Sequence, residues 1–396
     1  LFGFAGIDPT KGEAAVREIE RIGPYNRVLD VAPLQVKRFA DLGDVPMRSR
    51  YDLTSCHEDI EDFFTRVVQA GLVPLAVGGD PGKRGVIATC NYEARAYGVR
   101  SAMASAYAKK LCPELLIVPG RMSVYREVSQ AIQAIFADYT PLIQPLSLDE
   151  AYLDVTDSPA CRGSATLMAR EIRQRVRDTQ GITVSAGVAP NKFLAKIASD
   201  WNKPDGLKVI LPDQVEDFLR DLPVSRLHGV GRKTAERLQR LGVDVCSELL
   251  PWRKQDLARE FGSFGERLWE LARGIDERPV VVESRRQSVS VENTYEHDLP
   301  DLDACLAALP PLLDKLAERI GRLEGSYRVS KPFIKLKFHD FTQTTLEQAG
   351  APITPAGYTE LCAQAFARGN CPVRLIGVGV RLDSGLSQLG EQLSLF

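Results

Sequence analysis

Asp149 and Glu150 stand side by side in the run Ser147-Leu148-Asp149-Glu150-Ala151-Tyr152-Leu153-Asp154, at the mouth of an apolar strand. Adjacent carboxylates are hard oxygen donors, which is what Mg²⁺ takes together with substrate phosphates. Alone, the pair reads first as a solvated turn, and the surrounding residues reverse that. Two further strings carry phosphate chemistry. Residues 85–101 place Tyr92 and Arg95 three apart after a short β-branched run, and residues 185–204 lead from a strand through a helix to Lys203-Pro204. Arginine offers phosphate a two-pronged fork and lysine a compact point charge.

These side chains need elements to hold them. An apolar stripe of Val124, Val128, Ile132, Ile135 and Phe136 predicts a helix over 123–139. A strand at 150–155, a helix at 165–179, a strand at 183–188 and a helix carrying Lys196 follow. Helices and strands alternating in this order predict an α+β multidomain fold with carboxylates displayed at strand ends. Further on, Leu227-His228-Gly229-Val230-Gly231-Arg232-Lys233 has the form of a helix-hairpin-helix, whose glycine turn offers backbone N–H groups and a helix N-terminus to a phosphate. Such a device reads duplex backbone without reading bases. A purely structural join between two packed helices is the lesser alternative. A second glycine turn lies at 261–265. Residues 333–339 alternate with period two, which sends Ile334, Leu336 and Phe338 to a core and Lys335, Lys337 and His339 outward. Another such strand is expected at 373–382. Lys315, Arg319, Arg322, Arg328, Lys331, Lys335 and Lys337 make a basic stripe, or simply a solvated face.

With 396 residues and 44% hydrophobic content, three or four modules are expected. The chain reads as soluble and cytoplasmic, with no apolar run of membrane-spanning length and no signal-peptide pattern. Its eight cysteines include no Cys-x-x-Cys pair and its four histidines are scattered, so neither a disulfide framework nor a zinc site is expected. The net charge of −2 divides unevenly: residues 1–80 hold 9 Lys+Arg against 13 Asp+Glu, the rest 41 against 39. DNA contact would therefore rest on local stripes and backbone amides.

The strings at 85–101, 147–154 and 185–204, in this order, resemble the Y-family DNA polymerases, and within them the DNA polymerase IV branch, from about residue 77 to 396. The resemblance implies palm, fingers, thumb and little-finger domains behind an atypical α/β N-terminal segment. The implied divisions are 1–80 for that segment, 81–122 fingers, 123–210 palm, 211–282 thumb, 287–384 little finger and 385–396 a flexible tail. It implies two Mg²⁺ ions ligated by Asp149 and Glu150, a triphosphate held by Tyr92, Arg95 and Lys203, and small residues, Val86 and Ala88, over the nascent base pair. Loose packing there implies translesion synthesis of low fidelity on primer–template DNA with dNTPs. Gly229, Gly231, Lys233, Lys335 and Lys337 are the implied DNA contacts. The tail Gln392-Leu393-Ser394-Leu395-Phe396 resembles the bacterial sliding-clamp binding motif, with Gln392, Leu393, Leu395 and Phe396 as anchors. A monomer is expected, with no membrane partner.

The resemblance breaks at the N-terminus. The family carries a third carboxylate on its first palm strand, in a His-x-Asp-x-Asp-x-Phe-Phe or Tyr pattern. Residues 23–80, with Gly23-Pro24-Tyr25-Asn26, Asp41-Leu42-Gly43-Asp44-Val45-Pro46 and Val77-Gly78-Gly79-Asp80, resemble instead the ureohydrolases of the agmatinase and arginase type. Pro81 stands where that family has a metal-binding His, and no Asp-x-His-x-Asp occurs, which excludes binuclear hydrolysis. The expectation is a chimera joined near 75–79, with Leu1 in place of Met a sign of trimming. His57-Glu58-Asp59-Ile60-Glu61-Asp62-Phe63-Phe64 fits the outline of the missing pattern, with Asp59 as ligand and Phe64 as ribonucleotide gate. Its acids make a poor strand, and Ile60, Phe63, Phe64, Val67 and Val68 fall on one helical stripe, so a surface helix is expected. Two functions therefore stand: a lesion-bypass polymerase, active or, as the missing first strand implies, impaired, or a non-catalytic chain that binds DNA and the clamp.

Overall fold

The computed structural model describes residues 73–282, 285–323 and 327–384, and the backbone of Phe2–Gly3. The chain divides into two compact units, one of Leu1–Val77, Ala88–Ser101 and Leu111–Glu283, the other of Gly78–Ile87, Ala102–Lys110 and Ser284–Phe396. The segment expected as one fingers module, 81–122, is thus shared between both. The N-terminal expectations for residues 4–72, Asp59 and Phe64 included, lie outside the described residues, as do the four tail anchors.

Along the chain run β1 (Phe2–Gly3), β2 (Leu75–Gly78), β3 (Ile87–Cys90), α1 (Tyr92–Ala96), α2 (Ser105–Leu111) and β4 (Leu116–Val118). β2 is the middle strand of a three-stranded sheet in the order β3-β2-β4, and its Leu75, Ala76 and Val77 are buried. The buried Asn91 side chain caps α1 by accepting from the Ala94 N–H (3.0 Å), accepts also from the Leu75 N–H (2.9 Å) and donates to the Val73 carbonyl (2.9 Å).

Next come α3 (Met122–Ala137), β5 (Ile143–Pro145), β6 (Ala151–Leu153), α4 (Ala165–Gln180), β7 (Thr183–Val184), β8 (Ala186–Val188), α5 (Lys192–Trp201) and β9 (Leu207–Val209). The stripe on α3 meets that on α4, so Ile132, Ile135, Met168, Ile172 and Val176 share a core with Val184. The strand expected at 150–155 contracts to β6, because the Leu146 N–H bonds the Glu150 carbonyl (2.8 Å) and closes the β5–β6 hairpin there. The strand expected at 183–188 breaks at Ser185. β7 pairs antiparallel with β1 whereas β8 pairs parallel with β9, so its two halves serve different partners.

A helical region follows: α6 (Val215–Arg220), α7 (Arg232–Arg240), α8 (Lys254–Phe261) and α9 (Ser263–Leu271). Leu219, Leu238, Leu257 and Leu268 close its core together with Phe193 and Leu194 of α5.

The second unit is built on β10 (Ser288–Leu299), α10 (Leu302–Ala307), α11 (Pro310–Gly321), β11 (Tyr327–Phe338), β12 (Gln343–Glu347), α12 (Pro355–Ala367) and β13 (Val373–Ser384). Its antiparallel sheet has the order β10-β13-β11-β12. The predicted alternation holds: Ile334, Leu336 and Phe338 are buried with Val378 and Val380 beneath Leu312, Leu313 and Leu316 of α11 and Tyr358 and Leu361 of α12. Each such side chain contributes about 1.5–3 kcal/mol when fully buried. The basic stripe does not survive folding as one surface. Lys315 and Arg319 ride on a helix covering the inner face, while Lys335 and Lys337 leave β11 on the other side. Among the described residues no helix is long and apolar enough to cross a membrane.

Candidate active site and nucleic-acid interface

The hairpin turn that shortens β6 also sets the two carboxylates. Asp149 is exposed at the turn, where the Ser147 hydroxyl donates to its Oδ1 (2.5 Å), and Glu150 is half-buried at the start of β6. Lys196 of α5 meets Glu150 at 2.6 Å, with its own side chain only 15% exposed. One turn earlier, Lys192 donates to Gln144 Oε1 (3.0 Å) and to the Pro279 carbonyl (2.6 Å). Burial, and then the neighbouring Arg278, lower the Lys192 pKa.

The strap following α9 is anchored beside them. Asp276, its side chain wholly buried, forms ion pairs with Arg278 (2.7 Å) and Arg267 (2.8 Å) and accepts from the Phe193 N–H (3.1 Å). Burial pushes its pKa up, but the two guanidiniums outweigh that and hold the carboxyl well below the usual range. Asn191 caps α5 and donates to the Gly274 carbonyl (2.7 Å). A cavity of about 500 Å³ opens here, lined by Asp149 to Thr156 on one side, Val184 to Lys192 on another, and Lys196, Asp276 and Arg278. Sequence reasoning missed Lys192, Asp276 and Arg278 and gave Lys196 no role. The readable signal was the four-residue spacing of Lys192 and Lys196, which puts both on one face of a helix.

Tyr92, Arg95 and Lys203 are not part of this lining. Tyr92 is exposed at the start of α1 with the Arg95 guanidinium 5.4 Å from its ring, and Arg95 Nε donates to the Cys90 carbonyl (3.1 Å). Lys203 pairs with Asp200 (2.5 Å), three residues back on α5. Val86 and Ala88 are both exposed, on either side of the buried Ile87, as strand alternation requires.

Among the described residues the carboxylates offered to a metal here are Asp149 and Glu150. Asp149 and Glu150 can hold one Mg²⁺ in company with phosphates, since Mg²⁺ is ordinarily bound by one or two carboxylates plus substrate. Among the described residues no three His, Cys, Asp or Glu side chains converge as a metal-binding group.

The helix-hairpin-helix glycines differ in kind. Gly229 has φ +97°, and a Cβ there would lie 2.8 Å from the Phe264 ring. Gly231 has φ −83° as the cap of α7, with open space around it, so glycine is not required by the backbone at that position. Lys233 is exposed in the first turn of α7. On the sheet unit, Lys335 faces outward as expected but is paired with Glu292 of β10 (3.0 Å).

A strand-end carboxylate pair, a helical region with two glycine turns and a sheet with lysines on its outer face belong together in a palm-type nucleic-acid polymerase. Residues 59–200 match the impB/mucB/samB family, 286–395 its C-terminal domain, and 221–276 the thumb domain described for DNA polymerase-iota. The first match begins at Asp59, outside the described residues. DNA polymerase IV of Pseudomonas entomophila (strain L48) is 68% identical over 323 residues, covering 82% of this chain and 91% of that protein. That of Pseudomonas putida (strain GB-1) is 67% identical over the same shares. A Y-family DNA polymerase chimera of Dbh and Dpo4 superposes with a TM-score of 0.70 at 30% identity, over 78% of this chain and 91% of that one. An insertion ternary complex of Dbh DNA polymerase gives 0.56, also at 30% identity and with the same coverage of each chain. The chain belongs to the Y-family DNA polymerases, in their DNA polymerase IV branch.

Proposed function

We propose that this chain carries the translesion synthesis reaction of its family at strongly reduced turnover, on primer–template DNA with dNTPs, using Mg²⁺ held by Asp149 and Glu150. What supports impairment is the sequence: residues 23–80 resemble a ureohydrolase where the family has its first carboxylate-bearing palm strand, and among the described residues no third carboxylate joins Asp149 and Glu150 beside the cavity. Two-metal transfer needs one ion to activate the 3′-hydroxyl and one to neutralise the leaving pyrophosphate. A missing ligand that costs about 3 kcal/mol slows the step roughly a hundredfold. Tyr92, Arg95 and Lys203 would meet the triphosphate, with Lys203 first leaving Asp200. Val86 and Ala88 fit a loosely covered base pair, being small or medium in size and exposed.

Primer extension with Mg²⁺ and all four dNTPs tests this, read beside fluorescence anisotropy of the same DNA. Slow extension with firm binding is the expected result. Extension at the rate of an ordinary bypass polymerase overturns the impairment, and absence of DNA binding overturns the reading as a whole. The second reading, a non-catalytic DNA- and clamp-binding chain, is favoured by the complete antiparallel sheet of the second unit and by the glycine turn at Gly229. It predicts no extension at any metal concentration. Under both readings Gly229, Gly231, Lys233, Lys335 and Lys337 contact the phosphate backbone, and Lys335→Glu/Lys337→Glu should weaken binding.

The tail would bind a bacterial sliding clamp through Gln392, Leu393, Leu395 and Phe396. Leu395 and Phe396 would act as buried anchors, each worth about 1.5–3 kcal/mol when desolvated. A titration comparing the intact chain with one ending at Glu391 checks this, with equal clamp affinity removing the motif. The working form is a cytoplasmic monomer, which sedimentation of the intact chain would test.

A further inference from the structure

Phe341 is the most exposed large hydrophobic side chain among the described residues, at 61%. It sits in the turn between β11 and β12 with φ +68°, a backbone region that bulky side chains avoid. The turn is firmly made. The Phe341 N–H donates to the Phe338 carbonyl (3.0 Å), the Phe338 N–H to the Thr342 carbonyl (2.9 Å), and Thr342 donates through N–H and hydroxyl to Asp340 Oδ1 (2.9 and 2.7 Å). An aromatic ring is therefore held out in water, in a conformation that glycine would adopt without strain. Strain of this sort persists where the side chain is used.

Two cations flank the ring. Lys337 Nζ lies 4.8 Å and the Arg374 guanidinium carbon 4.9 Å from its centroid. Neither forms an ion pair among the described residues, and Asp298, whose carboxylate feels the charge of Arg374, is committed to Arg84 at 2.6 Å. This differs from the rest of the outer face, where Lys335 is paired with Glu292, and Lys331 and Arg381 share Glu347. An exposed aromatic with two unneutralised cations is the composition of a single-stranded nucleic-acid platform, on which a base stacks while cations meet the neighbouring phosphates. A base–aromatic stack is stronger than a cation–π contact at an exposed site, so an incoming base can displace the cations toward phosphate.

We propose that Phe341, Lys337 and Arg374 form a stacking site for an unpaired base of single-stranded DNA, such as the template overhang. The proposal rests on the DNA-binding reading above and adds to it a site with its own ligand chemistry. The test uses the full chain and two labelled DNAs, a primer–template with a single-stranded overhang and a blunt duplex, with binding read by anisotropy and folding by thermal melting.

Phe341→Gly removes the ring and relieves the backbone, so it should melt at or above the unsubstituted temperature yet bind the overhang DNA roughly tenfold more weakly. Its blunt-duplex affinity should change by less than about twofold, because paired bases offer no free face. Phe341→Tyr should keep overhang affinity. Lys337→Gln/Arg374→Gln should lower the slope of log affinity against log salt by roughly two on the overhang DNA. Undiminished overhang binding by Phe341→Gly, or an equal loss on both DNAs, overturns the stacking site. Failure of the unsubstituted chain to bind either DNA brings down the DNA-binding reading itself.

Discussion

The two units solve the problem of holding strands together by different means. In the second, four strands make one antiparallel sheet, two helices close its inner face over an apolar cluster, and its ion pairs lie at the surface. In the first, the strands between residues 143 and 209 come as separate pairs, β5–β6, β1–β7 and β8–β9, beside a cavity of about 500 Å³. Charged side chains pin those pieces. Arg173 donates to the Val184 carbonyl and to Asp205, Arg177 also bonds Asp205, Lys196 reaches Glu150, and Asp276 gathers two arginines. An apolar sheet interior tolerates the loss of any one polar contact, whereas a pinned assembly depends on each pin.

That contrast is breakable, and the largest effect should come from its most buried pin. Asp276→Ala leaves Arg267 and Arg278 without their carboxylate, and breaking a buried pair costs about 3–5 kcal/mol. Urea unfolding of the full chain should show the first transition shifted while the second unit is unaffected; a shift below about 1 kcal/mol would mean that apolar packing suffices in both. A smaller loss, roughly 1–3 kcal/mol, is expected for Gly229→Ala, which combines an unfavourable φ with a clash against Phe264. Gly231→Ala, two residues on in open space at negative φ, should stay within about 0.5 kcal/mol. Equal effects at the two glycines would erase the distinction drawn between them.

The smallest effect belongs to the surface of the second unit. Arg84 holds the Asp298 carboxyl below its ordinary value of 3.8. A depressed carboxylate adds stability that is fully present above the unfolded value and is lost as pH falls through the folded one. Acidification below about pH 4 should therefore remove less than about 1 kcal/mol from this contact, and Arg84→Ala should flatten that part of the stability–pH curve.

Legibility in the sequence followed the same division. Alternation in 333–339 announced both the buried and the outward residues of β11, because a strand within a two-sided sheet has one answer for each residue. The stripe on α3 likewise came through, over Met122–Ala137 against an expected 123–139. Strand lengths in the first unit were overestimated, since hydrophobic runs at 150–155 and 183–188 do not reveal that a hairpin turn or a change of partner interrupts pairing. The place of Asp149 and Glu150 at the mouth of a strand was readable from the apolar run that follows them. Asp276 was not: its chemistry depends on Arg267, nine residues away on α9, and on the Phe193 N–H, 83 residues earlier. The ion pairs of Lys335 with Glu292 and of Lys203 with Asp200 were not readable, because a list of charges says nothing about which carboxylate folds up beside each.

Asn91 carries one more consequence. Its side chain grips only main-chain atoms of Val73, Leu75 and Ala94, and its own N–H donates to the Leu75 carbonyl (3.0 Å). Such a clasp recognises the path of the chain as it enters β2 and is indifferent to the letters that precede Val73. In the language of tolerance to mutation, Val73 and Leu75 are free to change side chain without loosening this grip, since three of the four hydrogen bonds seat the strand through its main chain and the fourth caps α1.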